Sequence, residues 1–367
     1  MGRITKIVIT GGPCAGKTTA LSWIQNAFTA KGYKVLFVPE TASELIGGGL
    51  APWTVIHNVD YQKCQMKLQL EKERIFEQGA RHMSDEKLLI VCDRGAIDNR
   101  AYMTDSEFAQ VLRTVHRDET ELRDSYDAVF FLETAAKGKE AFYTLANNVA
   151  RTETPEQAVE LDNRLIAAWT GHPHLRVIGN ETDFDQKMHR LISEISAFLG
   201  EPLPYDTFKK FLISMPDAEK LENDPSCRKV EIIQTYLRSG PDEKIRVRQR
   251  GLNGSYIYFK NTKRPGADGK RIELEQRLSE FEYLRLLMEA DTTYHQLRKT
   301  RYCFTWDGHY YEVDIYPFWK KQAILKQELT GKDDTVVIPP FITMIEDISE
   351  DPAYKNSSIA KQALAEK

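Results

Sequence analysis

Gly11 to Thr19 reads Gly-Gly-Pro-Cys-Ala-Gly-Lys-Thr-Thr and satisfies the pattern Gly-x-x-x-x-Gly-Lys-[Ser/Thr]. The pattern makes a phosphate cradle only where a strand precedes it and a helix follows. Both flanks comply. Ile4, Ile7, Val8 and Ile9 form a short apolar run suited to a buried parallel strand, and Ala20, Leu21, Ile24, Ala27 and Phe28 recur at helical spacing. Gly11, Gly12 and Gly16 permit a tight turn whose N–H groups face inward, at the positive end of the helix dipole. The stretch therefore predicts a nucleotide cradle made of Gly12, Pro13, Cys14, Ala15, Gly16, Lys17, Thr18 and Thr19. Lys17 would reach the terminal phosphates, and the Thr18 hydroxyl would bind Mg²⁺.

A chain of 367 residues is expected to form about two domains. Its formal charge of −4 gives no global attraction to nucleic acid or to an anionic membrane, so any polyanion site must be a local cluster. Five cysteines without a Cys-x-x-Cys pair read as reduced thiols, neither a disulfide nor a zinc framework. Cys14 and Cys92 flank the expected nucleotide site and are candidate reporters of chemical modification. The longest apolar runs are strand-length, so the expectation is a cytoplasmic protein with no transmembrane segment.

Further buried strands follow at Val35–Val38, Leu88–Cys92, Ala128–Glu133 and Leu175–Ile178. Ligands of open α/β sheets collect at the carboxyl ends of such strands. The second strand ends at Glu40, which is expected to act as general base or to help hold the metal; a plain helix N-terminal charge is the alternative. The strand at Leu88 delivers Asp93, the expected Mg²⁺ ligand, and Arg94, a phosphate or carboxylate partner. Asp98, Asn99 and Tyr102 read as ordinary surface residues or as substrate contacts. Arg151 lies on a segment inserted before the helix Glu156–Trp169, where small-molecule kinases close a lid over the transferred group. Arg164 is a weaker candidate, with a helix-face ion pair as its alternative. The Gly47–Trp53 stretch has little regular potential and is a candidate substrate cover.

Near Gly200-Glu201-Pro202-Leu203-Pro204 the character changes from buried parallel strands to long alternating ones. Arg246, Arg248 and Arg250 share a face, and Lys260 is expected to join it. Glu273, Glu275 and Arg277 share another, as do Lys299 with Arg301 and Glu312 with Asp314. An antiparallel sheet with a wet charged face would account for one such strand. Several in succession fit a barrel with a charged lumen, in which cations hold a polyphosphate and carboxylates hold Mg²⁺ or Mn²⁺.

Two resemblances cover most of the chain. The phosphate loop, Pro39-Glu40-Thr41-Ala42, Asp93-Arg94-Gly95, the Arg151 segment and Asp183-Phe184-Asp185-Gln186-Lys187 resemble the P-loop kinase-like domain of the bacterial nicotinamide riboside kinase module and the TRPL translocation defect protein, over residues 1–200. That implies nucleotide binding, and phosphoryl transfer with lesser force. No Asn-Lys-x-Asp guanine signature is present in this half, so ATP and GTP both stay open. Residues 204–360 resemble the CYTH family of triphosphate tunnel proteins through Lys210-Phe211-Leu212-Ile213, Arg246-Val247-Arg248, Lys260, Glu273-Leu274-Glu275, Lys299-Thr300-Arg301-Tyr302, Glu312-Val313-Asp314 and the closing Asp351-Pro352-Ala353-Tyr354. The resemblance implies an eight-stranded antiparallel tunnel that binds triphosphates. Its phosphate ligands would be Lys210, Arg246, Arg248, Lys260, Lys299 and Arg301, and its metal ligands Glu273, Glu275, Asp314 and Glu328. Two departures matter. Where the family carries Glu-x-Glu-x-Lys, this chain has Asp206-Thr207-Phe208-Lys209-Lys210, and the late Glu-x-Glu strand reads Lys326-Gln327-Glu328.

The expected fold is thus an α/β P-loop NTPase domain with a parallel sheet, followed by an α+β domain built on an antiparallel tunnel. The expected function is a small-molecule kinase using Mg²⁺ or Mn²⁺ with ATP or GTP, its partners a nucleoside triphosphate and a small phosphorylated or phosphate-accepting ligand. The alternatives are a nucleotide-dependent switch that recognises a phosphorylated ligand or anionic headgroup, and a metal-dependent triphosphatase acting in the tunnel.

Overall fold

The computed structural model describes residues 3–138, 154–200, 208–224, 226–265, 271–307, 309–329 and 336–365. The chain divides into two compact units, Met1–Ile195 and Ser196–Lys367.

In the first unit, strands β1 (Arg3–Gly11), β2 (Lys34–Val38), β3 (Lys87–Asp93), β4 (Ala128–Leu132) and β5 (Leu175–Ile178) form a parallel sheet in the order β2-β3-β1-β4-β5. Ile7, Val8, Ile9 and the whole of β4 are buried, as expected of strands covered on both faces. β1 is central. Its end lies between β3, with Ile9 opposite Asp93, and β4, with Gly11 opposite Leu132. That register places the phosphate loop beside the carboxyl ends of both neighbours.

The helices are α1 (Lys17–Ala30), α2 (Thr41–Gly47), α3 (Asn58–Arg81), α4 (Asp105–Val115), α5 (Glu119–Arg123), α6 (Pro155–Trp169) and α7 (Phe184–Phe198), with a 3-10 turn at Ala96–Tyr102. α6 opens on a capping box between Thr154 and Gln157 with Pro155 in its first turn. The core side of α3 carries Gln69 and Glu73 among its buried positions. Glu73 is tolerated there because Lys6 Nζ (3.1 Å), Tyr126 OH (2.7 Å) and Gln69 Nε2 (2.8 Å) all donate to it.

The second unit contains β6 (Phe208–Ser214), α8 (Ala218–Asn223), β7 (Arg228–Leu237), β8 (Lys244–Leu252), β9 (Ser255–Pro265), β10 (Arg271–Leu278), α9 (Glu280–Leu287), β11 (Leu297–Trp306), β12 (His309–Ile315), β13 (Gln322–Glu328), β14 (Met344–Asp347) and α10 (Asn356–Ala365). Its strands make one antiparallel sheet in the order β10-β9-β8-β7-β11-β12-β13-β6-β14. The sheet thus has nine strands where eight were expected, the short β14 being the addition. The β8–β9 hairpin turns on Asn253 (φ 52°) and Gly254 (φ 86°), the positive-φ pair that a two-residue hairpin favours.

The sheet is curled. Six places in the strand order separate β9 from β6, about 29 Å if the sheet were flat. Charges that far apart barely interact in salt water. Lys263 of β9 nonetheless contributes to the lowering of the Lys210 ammonium of β6, which fits a sheet whose charged face is concave. One face is apolar and packs against helices: Leu237, Val247 and Leu278 meet Tyr283 of α9, while Phe211, Ile213, Val313 and Leu325 meet Leu221 of α8. The opposite face carries the charges, and one end of it is apolar, where Leu212, Leu297, Ile324 and Tyr316 pack with Ile359 of α10.

Candidate phosphate sites

The loop between β1 and α1 has the tight geometry its glycines allow. A Cβ on Gly11 (φ 145°) would lie 1.9 Å from the Leu132 carbonyl oxygen, and one on Gly16 (φ 91°) 2.6 Å from the Phe184 ring. Cys14 also has positive φ, at 55°. Two side chains brace the turn from β4 and α6. Thr134 Oγ1 donates to the Pro13 carbonyl at 2.5 Å, and the buried Asp162 accepts from the Gly12 N–H at 2.8 Å and the Thr134 N–H at 3.1 Å. Lys137 pairs with the second Asp162 oxygen at 2.8 Å.

Lys17 folds back over the loop, donating to the carbonyls of Gly11 (3.1 Å) and Gly12 (3.0 Å). Burial, assisted by the Arg94 charge, pushes its ammonium down to about 8, against the pull of Glu40, Asp93 and Asp98. Arg94 (φ 68°) donates from Nε to Glu40 at 2.5 Å and from Nη1 to the same Gly11 carbonyl at 3.3 Å. Burial alone would raise the Glu40 carboxyl, but Arg94, the Ser43 hydroxyl and Lys17 outweigh it and hold the group at about 2.

Asp93 differs from both. Burial first, then the Glu40 charge, raises its carboxyl from the ordinary value, against the pull of Lys17 and Arg94. Its Oδ1 is buried and has no hydrogen-bond partner among the described residues. Such an orphaned oxygen at the end of a strand fits a hard divalent cation. Thr18 and Thr19 are exposed on the first turn of α1.

Several residues sit differently from expectation. Asp98 and Asn99 are buried. Asp98 accepts from Thr10 Oγ1 (2.8 Å), Trp169 Nε1 (2.6 Å) and the Gly95 N–H (3.1 Å), tying β1, α6 and the 3-10 turn together. Cys92 is fully buried and its thiol is pushed well up by burial, so it is no reporter of modification. Arg164 is exposed. Arg151 lies outside the described residues. Asp162 was not anticipated, although an acid at position i+4 from Ala158 and i−3 from Leu165, in the buried stripe of α6, was a legible sign.

On the curled sheet, cross-strand pairs fix which residues share a face. Arg246 lies opposite Asn261 and Tyr236, Arg248 opposite Phe259 and Gln234, Arg250 opposite Ile257 and Ile232. The same face continues through Lys299, Arg301, Glu312, Asp314, Lys326 and Lys210. Lys260 does not belong to it. Its partners are Val247 and Gln276, on the face that α9 covers, and Lys263 occupies the arginine face of β9 instead. The two-residue hairpin is the reason: Leu252 opposite Ser255 sets even-numbered residues of β8 against odd-numbered ones of β9. Glu273 and Glu275 take register positions opposite Lys263 and Asn261, and Glu328 opposite Phe208; their side chains lie outside the described set.

Asp314 is buried and accepts three hydrogen bonds. Lys299 Nζ (2.6 Å), Arg301 Nε (2.6 Å) and Arg301 Nη2 (2.9 Å) donate to it, and Lys326 lies 3.7 Å away. Glu312 pairs with Arg301 at 2.5 Å and Lys326 at 3.3 Å. Burial opposes ionisation of Asp314, yet Arg301, Lys299 and Lys326 hold it well below the carboxylate range. Three donors thus occupy most of the lone-pair sites of Asp314, and a metal ion held there would share the carboxylate with Lys299 and Arg301. No cluster of three or more candidate metal donors occurs among the described residues.

Comparison with known proteins gives a mixed outcome. No curated protein matches the chain. Among solved structures, the hypothetical protein NE1496 is 24% identical, with 42% of this chain and 96% of that one covered and a TM-score of 0.32. A structure described as the inorganic triphosphatase NE1496 is 22% identical, covering 44% and 97%, also at 0.32. The PH1819 protein from Pyrococcus horikoshii is 20% identical, covering 34% and 80%, at 0.26. Over residues 6–187, which contain the phosphate loop, Glu40, Asp93 and Arg94, the sequence matches the family described as an AAA domain.

Proposed function

We propose that the first unit binds a nucleoside triphosphate, ATP or GTP, and transfers its γ-phosphoryl group to a hydroxyl of a small acceptor. The carrying observation is that Glu40, Arg94 and Lys17 meet at one point, since Arg94 and Lys17 both donate to the Gly11 carbonyl while Arg94 holds Glu40. A carboxylate held at the end of a neighbouring strand beside the loop's lysine is placed to orient an acceptor hydroxyl. Loop N–H groups from Cys14 to Thr19 receive the phosphates, and Lys17 exchanges the Gly11 and Gly12 carbonyls for phosphate oxygens. Asp93 and Thr18 would hold a divalent cation, which when bound neutralises charge on the β- and γ-phosphates. Glu40 accepts the acceptor's hydroxyl hydrogen bond. Held at about 2, it is a weak base, and its work is to orient the hydroxyl in line, which suffices for a loose phosphoryl transition state. Arg151 is assigned to the charge developing on the transferred group.

For the second unit we propose oligophosphate binding on the concave face through Lys210, Arg246, Arg248, Lys299 and Arg301, with Lys260 removed from the set. The test of the kinase reading is product analysis with ATP and GTP, Mg²⁺ or Mn²⁺, and a panel of nucleosides and other small alcohols, on wild type, Lys17→Ala and Glu40→Gln. An acceptor that raises nucleotide consumption in wild type and in neither variant supports it. Slow consumption unchanged by every acceptor replaces it with the switch reading, which the self-bonded Lys17 favours, because nucleotide must then rearrange the loop.

A further inference from the structure

Near Glu40 the first unit buries three polar atoms that have no hydrogen-bond partner among the described residues. They are the Tyr61 hydroxyl, Gln62 Oε1 and Asn99 Nδ2, on side chains that are each 2% exposed. Folded interiors pair such atoms with protein or with ordered water, and an atom left unpaired costs stability. Three in one neighbourhood suit a molecule that supplies the missing partners.

The fold brings them to that neighbourhood. Asn58, Tyr61, Gln62, Gln69 and Lys72 recur at helical spacing along one side of α3. Both ends of that side are tied to the site. At one end Asn58 Nδ2 donates to the Tyr102 carbonyl at 2.9 Å and holds the 3-10 turn, on which Asn99 and Tyr102 stand one turn apart and so share an edge. At the other end Lys72 Nζ donates to the Pro39 carbonyl at 2.8 Å, Thr41 Oγ1 to Gln69 Oε1 at 2.5 Å, and Gln69 Nε2 to the Arg94 carbonyl at 3.4 Å. These bonds hold Glu40, which stands between Pro39 and Thr41, and its partner Arg94 against α3. Tyr61 and Gln62 lie between the two ties. Burial raises the Tyr61 phenol to about 12, and Glu40 and Tyr102 add to the lift, which fits a hydroxyl on the side of α3 that faces them.

Hydrogen-bonding character and charge narrow the occupant. The Tyr61 hydroxyl gives or accepts a bond, Gln62 Oε1 accepts and Asn99 Nδ2 donates. A molecule with several hydroxyls answers all three, because each hydroxyl both donates and accepts. Charge disfavours an anion. Glu40 is held ionised at neutral pH, and Arg94, the cation beside it, is already engaged by Glu40 and the Gly11 carbonyl.

We propose that Tyr61, Gln62 and Asn99 form the acceptor pocket of the first unit, and that it takes an uncharged polyol with one hydroxyl directed at Glu40. This rests on the phosphoryl-transfer reading above and names the substrate class of that site. Glu40 repels the phosphorylated counterpart of the same molecule.

The experiment uses the full chain with Mg²⁺ and a non-hydrolysable analogue of ATP or of GTP, so that binding is read apart from turnover. Adenosine, cytidine, D-ribose and glycerol make the neutral arm; AMP, CMP, ribose 5-phosphate and glycerol 3-phosphate make the charged arm. Binding is measured by calorimetry, and product formation with ATP and GTP is followed in parallel. The expected result is a neutral compound that binds at least tenfold more tightly than its phosphorylated counterpart. Tyr61→Phe and Gln62→Met should each weaken it about tenfold, yet melt at or above the wild-type temperature, since each removes a buried atom that had no partner. Binding weakened by neither substitution assigns the three atoms to buried water and overturns the pocket. Tighter binding of the charged arm overturns the uncharged acceptor. Neutral binding that both substitutions weaken, with no phosphorylated product, keeps the pocket and overturns phosphoryl transfer. Product from a compound whose KM neither substitution moves keeps phosphoryl transfer and overturns the pocket. No binding and no product in either arm overturns the two together.

Discussion

Asp93 and Asp314 each sit buried beside cations, yet they are opposites. Asp93, at the end of a parallel strand, has a buried oxygen to which none of the described residues donates. Asp314, near the end of an antiparallel strand, is gripped by Lys299 and Arg301 with Lys326 close by. An unfilled acceptor at the end of a strand beside the loop's N–H groups suits a cation. A filled acceptor leaves surplus cations around it, and those call for an anion. Residue type alone would have assigned both aspartates to metal; the number of donors already pointing at each one separates them.

The comparison is broken most severely at Asp314. Asp314→Ala strands Lys299 and Arg301 in a buried environment and is expected to cost about 3–5 kcal/mol in urea unfolding. A loss under about 1 kcal/mol would mean that the grip described here contributes little. Next in size is Lys17→Ala, expected to lower phosphoryl transfer by roughly 10²–10³ while tripolyphosphate binding on the sheet stays within about twofold. Loss of both functions in that variant would show that the two units do not hold independent sites.

Asp93→Asn sharpens the contrast. Because the orphaned oxygen makes no hydrogen bond to the described residues, the variant should melt close to wild type, yet need about 10–100-fold more Mg²⁺ for half-maximal turnover. An unchanged Mg²⁺ titration would remove Asp93 from the metal. The smallest effect concerns pH. With Lys17 held at about 8, the free loop loses its positive charge as pH rises through that value, whereas bound phosphate would keep the lysine protonated. Nucleotide affinity should therefore fall about tenfold between about pH 7 and pH 9, with proton uptake on binding at the upper end. A flat profile would place the charge on another group.

Much of this was written locally. Strands β1 to β5 were legible because buried parallel strands are continuous apolar runs, and the loop's conformation because Gly11 and Gly16 occupy positive-φ positions that exclude a side chain. The hairpin parity that removes Lys260 from the arginine face was also legible, in the Asn253-Gly254 turn, but placing Lys260 by its chemistry alone hides it. Asp98 and Asp162 were harder. Nothing within a few residues of either names Trp169, Thr10 or the Gly12 N–H as its partner.

The sequence by itself determined the phosphate loop with its flanking strand and helix, the alternation of charge along β8, β11 and β12, and the presence of an aromatic at position 208, since each is a property of a single turn, strand or residue. Tertiary structure decided what the charges do. Which carboxylate is engaged and which is left bare depends on groups brought together from separate strands: Lys299 and Asp314 lie 15 positions apart in the chain, and Glu40 and Arg94 lie 54 apart. Electrostatic energy falls with distance in space and takes no account of distance along the chain, so the chemistry of both sites was fixed only once the backbone had closed around them.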